Sequence, residues 1–153
     1  MLVVAACSLI LASVAMAEDK LETQWHCPKP SAEQKYDVGD VAGHGYAIAQ
    51  GACNVTSTNI GENTGAYTEF QEVWKASFTN HGRFNVTMDN GDKMYYTYQG
   101  TGDPAKKMAS NKWQIVNGTG KHKGAKGLGT CSGKLLDDGG SDWSCTGTVT
   151  TGK

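Results

Sequence analysis

Hydrophobic and polar residues alternate with a period of two along most of the chain after residue 42, and glycine or asparagine interrupts the alternation at short intervals. Such alternation is typical of β-strands that bury one face, and no stretch sustains the 3.6-residue period of a helix. The pattern predicts an all-β domain of about eight strands. Their predicted bounds are 43–50, 52–58, 66–78, 82–88, 93–99, 112–119, 127–135 and 143–150.

The first residues differ from the rest because residues 1–17 carry no charge and are almost wholly apolar. This run is shorter than the roughly 20 apolar residues that a membrane span needs, and it ends in a small-x-small motif at Ala17. We therefore predict a signal peptide that is cleaved near Ala17, and a secreted or periplasmic protein with no membrane span. Acylation of Cys7 is the competing interpretation, but the apolar run continues beyond that residue.

Residues 18–41 predict an irregular, polar lead-in with Pro28 and Pro30, and residues 42–153 predict one β-barrel domain. The length that remains after cleavage suits a single domain with a modest core.

Four cysteines follow the predicted cleavage site, and an even number in an exported chain favours disulfides over metal ligation. None of them has C-x-x-C spacing, so the sequence predicts no metal site. Three pairings are open. We favour the pairing that joins Cys131 to Cys145, because these two cysteines are equidistant from Asp138 in a predicted hairpin. The favoured pairs are Cys131–Cys145 and Cys27–Cys53.

The hairpin turn at Asp89-Asn90-Gly91 gives the sharpest register prediction. A two-residue turn leaves apolar residues on both faces of the hairpin. A three-residue loop with Gly91 in the left-handed region collects them on one face, as a half-buried strand pair requires. The predicted inner face consists of Phe84, Val86, Met88, Met94, Tyr96 and Tyr98.

The chain from residue 65 to residue 150 carries several motifs in a recognisable order. They are Gly91–Tyr96, Tyr98–Gly102, Trp113–Lys121 and a closing Trp143 with Thr146-Gly147-Thr148, and the most specific is G-T-G-K-x-x-G-A-x-G-x-G-T at 118–130. This region resembles the allene oxide cyclase-like and dirigent-like barrels, in particular small exported bacterial members. The resemblance implies an eight-stranded antiparallel barrel with a central apolar cavity. The polar pocket residues of the plant proteins do not align here, so it implies no catalytic activity.

Charge excludes some partners. The net charge is −1, and a domain this close to neutrality does not suit a nucleic-acid partner, so we expect none. The glycine run after Gly118 lacks the spacing and the strand–loop–helix context of a nucleotide loop, and we predict no cofactor. The sequence leaves the oligomeric state open.

Two residues are weak candidates for catalysis. Strict alternation on strand 66–78 places Glu72 on the predicted inner face with Phe70 and Trp74, where a desolvated acid would be a proton donor. The alternative is an outward or rim position for Glu72. His44 is a candidate base, although a histidine at a barrel rim is more often simply solvated.

Aromatic residues on the predicted inner faces are the candidate ligand contacts: Tyr46, Phe70, Trp74, Phe84, Tyr96, Tyr98 and Trp113. We therefore expect an exported barrel that binds a small apolar ligand or acts as a cell-envelope accessory protein. One alternative is a cyclase or isomerase that acts on an apolar substrate inside the barrel. The other is a structural or interaction domain with a packed interior.

Overall fold

The computed structural model describes residues 18–151, so the predicted signal peptide lies outside the described residues. Among them no helix is long and apolar enough to cross a membrane. A 3₁₀ helix (Gly120–His122) accompanies the strands. The strands are β1 (Asp19–Cys27), β2 (Ala32–Asp37), β3 (Gly45–Thr58), β4 (Glu62–Trp74), β5 (Ser77–Met88), β6 (Lys93–Asp103), β7 (Met108–Gly118), β8 (Lys126–Leu135) and β9 (Ser141–Thr150).

The strands form one closed antiparallel barrel. From β3 to β9 each strand pairs with the next along the chain, and β1 pairs with both β9 and β3. Eight strands therefore form the ring, and β2 lies outside it beside the first half of β3. This confirms the predicted fold class, a single disulfide-stapled antiparallel barrel.

The lead-in at 18–41 was predicted to be irregular, but it contains β1 and β2. In β1 every second residue is buried, from Leu21 to Cys27, while the residues between them are exposed or only partly buried. Polar Thr23 occupies one of the buried positions, so the alternation of apolar and polar residues in the sequence is less regular than the alternation of buried and exposed positions in the structure. The barrel therefore begins at β1 and not at residue 42.

Two errors in the predicted strands offset each other. The predicted strands 43–50 and 52–58 are in fact one strand, β3, and β1 is a strand that was not predicted, so the number of strands in the barrel is still eight.

The predicted strand 66–78 also runs across a tight turn at Lys75 and Ala76, which separates β4 from β5. Neither residue at this turn is Gly, Pro, Asn or Asp, so the turn lacked its usual sequence signal.

The hairpin between β5 and β6 has the predicted register. Phe84 pairs with Tyr96 and Val86 with Met94, and Gly91 has a φ of 83°. Both predicted disulfides are confirmed. Cys131 lies directly opposite Cys145 across β8 and β9, and Cys27–Cys53 ties the end of β1 to β3.

The two ends of the barrel are filled differently. Near the 3₁₀ helix the interior is solid, and its fully buried side chains are Leu21, Val86, Met94 and Ile115. Towards the opposite end, where β1 stops at Cys27 and β9 starts at Ser141, the interior is hollow. The candidate site lies in this hollow half.

Candidate functional site

The hollow half contains a cavity of about 200 Å³ that opens at the end of the barrel. Pro28 and Pro30, between β1 and β2, border it together with Gly139 and Gly140 in the turn between β8 and β9. Most of its wall is apolar, and both disulfides contribute to it. The aromatic part of the wall includes Trp25, Phe84, Tyr96, Tyr98, Trp113 and Trp143.

Glycines on neighbouring strands give these rings space along the wall. A Cβ atom on Gly82 would lie 2.6 Å from the Tyr98 hydroxyl oxygen, and one on Gly129 would lie 2.4 Å from Cζ2 of Trp113. A ring that lies over a glycine can stay close to the sheet instead of projecting across the barrel. The many glycines of this chain thus serve the wall as well as the turns.

A carboxylate on β4 organises the polar part of the cavity. Tyr98 donates a hydrogen bond of 2.8 Å to Oε2 of Glu69, and the Asn80 amide donates one of 3.0 Å to the same oxygen. Gln71 donates to Oε1. Burial, followed by the Glu69 charge, raises the pKa of Tyr98, so this phenol stays a neutral donor. The same two causes, in the same order, raise the pKa of Tyr67 to about 12.

A second acid lies at the floor of the cavity, at the start of β4. Glu62 is only 3% exposed, and the Tyr96 hydroxyl donates a hydrogen bond of 2.6 Å to its Oε1. Burial raises the pKa of Glu62, and hydrogen bonds to its carboxylate partly oppose that shift. Burial likewise raises the pKa of Tyr96. Both groups of this pair therefore have raised pKa values, with burial as the main cause in each case.

Several polar atoms around the cavity are buried without a hydrogen-bond partner among the described residues. They include Oδ1 of Asn80, Oδ1 of Asn111, Oε2 of Glu62 and Nε1 of Trp113. The orientation of the Asn80 amide follows from its chemistry: its NH₂ group must face the Glu69 carboxylate, which only accepts. An unpaired buried polar atom is costly, so these atoms mark positions where an occupant could form hydrogen bonds.

The predicted ligand contacts divide into two groups. Phe84, Tyr96, Tyr98 and Trp113 line the cavity. Tyr46, Phe70 and Trp74 lie on the outer surface of β3 and β4 instead, together with Glu72. The predicted inner face of β4 is therefore wrong, because Tyr67, Glu69 and Gln71 point inward. Aromatic residues occur on both faces of this strand, so their positions alone did not reveal the phase of the alternation.

His44 and Glu72 meet outside the barrel. Nδ1 of His44 lies 2.7 Å from Asp40, Nε2 lies 3.1 Å from Glu72, and Trp74 stacks on the ring with a centroid distance of 3.7 Å. Both nitrogens face carboxylates, an arrangement that favours the doubly protonated form of the ring. The hydrogen bond to Asp40 is the main cause that raises the pKa of His44. In the protonated form neither ring nitrogen has a lone pair free for a metal ion or for base catalysis.

The sequence reasoning missed Glu62, Glu69 and Asn80. The signal that could have found Glu69 and Asn80 is register. Starting from the confirmed pairing of β5 with β6, alternation back along β5 puts Asn80 on the same inward face as Phe84 and Val86. Pairing across the Lys75–Ala76 turn then puts Gln71 opposite Asn80 and Glu69 opposite Gly82, on that same face. Because this turn was not recognised, the sequence analysis did not predict the polar cluster of the cavity.

Comparisons with known proteins agree with this architecture. The structure of the pterocarpan synthase dirigent protein GePTS1 is similar, with a TM-score of 0.56 and 11% identity over 98% of each chain. That of the pterocarpan synthase dirigent protein PsPTS1 has a TM-score of 0.54 and 10% identity, and the match covers 90% of this chain and 97% of that one. No family model and no curated protein matches the sequence. Identities this low carry the fold alone, and in its fold this chain is a dirigent-like β-barrel.

Proposed function

We propose that the hollow half of the barrel binds a small, largely apolar molecule that enters at the open end. The observation that carries this proposal is the cavity itself, because its wall is aromatic and aliphatic and its few polar atoms include buried ones without partners. An apolar wall with a few convergent polar groups is the usual character of a small-molecule site. A packed interior would have no such space.

The size of the cavity limits the occupant. Drug-sized ligands occupy pockets of roughly 300–1,000 Å³, whereas an apolar cavity of about 150 Å³ holds benzene. At about 200 Å³ this cavity suits a molecule with one or two rings, or an aliphatic molecule of similar bulk.

The wall is held in shape before any ligand arrives. The two disulfides cross-link β1 to β3 and β8 to β9, which are strand pairs on the cavity wall. A preformed site loses less conformational entropy on binding than one that must be ordered. Disulfides also form and persist in oxidising compartments, and with the predicted signal peptide they support a role outside the cytoplasm.

A second candidate, a cyclase or isomerase, is favoured by one observation. Oε1 of Glu62 lies 2.6 Å from the Tyr96 hydroxyl oxygen at the floor of the cavity, and burial raises the pKa of this carboxyl group, as a proton donor to a bound substrate requires. In this alternative Glu62 replaces Glu72 as the acid. Conversion of a bound compound should then stop in Glu62→Gln, while binding of that compound should persist. Turnover that survives this substitution would remove Glu62 from the mechanism.

Binding can be tested by calorimetric titration of the purified protein with benzyl alcohol, a neutral one-ring probe. We expect saturable binding at a single site. Leu135→Trp, which enlarges a side chain on the cavity wall at the end of β8, should weaken or abolish it. Leu128→Trp makes the same change at a 67% exposed position on the outer face of β8 and should bind like the wild type.

The matched pair separates entry into the cavity from adsorption to the surface. No saturable binding by the wild type, or equal binding by Leu135→Trp and Leu128→Trp, would contradict the proposal.

A further inference from the structure

The acidic and basic groups around the cavity are unbalanced. Glu62 and Glu69 both contribute to its wall, yet among the described residues no Lys, Arg or His side chain does so. The whole chain holds nearly equal numbers of acidic and basic residues, 15 and 14, so this imbalance is local.

Of the two acids, Glu69 is the one surrounded by donors. Its carboxylate accepts hydrogen bonds from Tyr98, Asn80 and Gln71. All three donors are neutral, so they orient the negative charge without compensating it. A carboxylate has about four lone-pair positions, so one acceptor position remains after these three bonds.

A further acceptor lies beside this charge. Asn80 is 6% exposed, its NH₂ group is directed at Glu69, and its Oδ1 is buried with no partner within residues 18–151. The unused acceptor position of Glu69 and this amide oxygen together suit a group with more than one N–H donor. A hydroxyl group, with a single hydrogen, can donate to only one of them.

The apolar wall favours the same charge. Trp25, Phe84, Tyr96 and Trp113 form a chain of ring contacts, with centroids 4.9, 6.4 and 5.6 Å apart. The faces of aromatic rings carry partial negative charge and attract cations, and this attraction is greatest where water is excluded. A carboxylate within an aromatic enclosure is therefore complementary to a cation with an apolar body.

We propose that the occupant of this cavity is a small organic ammonium ion, whose charged nitrogen donates hydrogen bonds to Glu69 and Asn80 while its apolar body lies among the aromatic rings. This inference rests on the proposed binding function and adds the chemical class of the ligand. Inorganic cations suit the site less, because they have no apolar body to occupy the aromatic part of the wall.

Two probes of nearly equal shape test the charge. Benzylamine is an ammonium ion at pH 7, and benzyl alcohol is its neutral counterpart. Calorimetric titration of the wild-type protein should give a dissociation constant at least about tenfold lower for the ammonium ion, a factor that corresponds to about 1.4 kcal/mol. Benzyl alcohol that binds as tightly as benzylamine would overturn this inference and leave the proposed function intact, whereas binding of neither probe would contradict both.

Substitutions locate the effect. Glu69→Gln keeps the side-chain size and removes the charge, so it should abolish the preference for benzylamine while binding of benzyl alcohol persists, which also shows that the variant is folded. Glu22→Gln removes an equal charge from the exposed face of β1 and should retain the full preference. Loss of the preference in both variants would indicate attraction by the whole surface and would also overturn the inference.

Discussion

The two faces of β4 carry similar groups in different surroundings. On the inner face Glu69 accepts a hydrogen bond from Tyr98, and on the outer face Glu72 accepts one from Tyr46. The outer carboxylate also meets the imidazole ring of His44, whose other nitrogen is hydrogen-bonded to Asp40. The inner carboxylate meets only neutral donors. The outer carboxylate therefore has a basic ring as its partner, whereas the inner one has acceptor capacity left for a ligand.

This difference shows that an acid next to aromatic rings is not by itself a sign of a site. Glu72 lies between Phe70 and Trp74 in the alternation of β4, yet all three are on the outer face. What distinguishes the inner group is the enclosed space beside it and the buried atoms that no residue satisfies.

The largest difference between the two faces should appear when tryptophans are truncated. Trp113 is 7% exposed and lines the cavity, so Trp113→Ala should lower the free energy of unfolding by about 3–5 kcal/mol. Trp74 is 41% exposed, so Trp74→Ala should cost only about 1 kcal/mol. Urea unfolding measures both, and equal losses would contradict the assignment of faces.

A smaller difference should follow removal of one hydroxyl. Tyr96→Phe leaves the buried Glu62 without its tyrosine partner and should destabilise the protein by about 1–3 kcal/mol. Tyr46→Phe removes the longer bond to Glu72, which keeps its contact with His44, and should cost less than about 0.5 kcal/mol. The comparison again uses urea unfolding, and a reversed order would mean that Glu62 is not effectively buried.

The smallest effect concerns pH and the outer cluster. The pKa of folded His44 lies above its ordinary value of 6.5, chiefly because of Asp40, so the folded state holds this proton more tightly than the unfolded chain does. The stabilisation is fully present below pH 6.5 and is lost as the pH rises through the higher, folded pKa. His44→Gln should remove this part of the pH dependence of stability.

His81→Gln is the control for that titration, because His81 is an exposed histidine on the same outer surface. Only the part of the pH dependence that His44→Gln removes and His81→Gln retains is assigned to the contacts of His44. A wild-type curve that shows no excess stability over His44→Gln below pH 6.5 would contradict the ion-pair geometry.

The sequence predicted the parts of the fold that depend on local signals. Gly91 and the apolar residues around it determined the register of β5 and β6, and equal spacing from Asp138 paired Cys131 with Cys145. Prediction failed where the local signal is absent. Lys75 and Ala76 form a turn without turn-forming residues, and Thr23 interrupts the apolar positions of β1.

The candidate site depended on those failures more than the fold did. The predicted number of strands stays right when two predicted strands are really one and another strand is missed. A one-residue error in the phase of the alternation, however, exchanges the two faces of a strand. This error placed Glu72 on the predicted inner face of β4 and Glu69 on the predicted outer face. The polar cluster also joins β4, β5 and β6, so it becomes visible only when their registers are combined.

The location of a bound probe tests the central claim most directly. In the nuclear Overhauser spectrum of the protein with benzyl alcohol, we expect contacts from the probe's ring protons to Trp113 and Tyr98, and none to Trp74 or Tyr46. Contacts confined to the outer pair, or spread equally over both, would contradict the account that the hollow half of the barrel is the binding site.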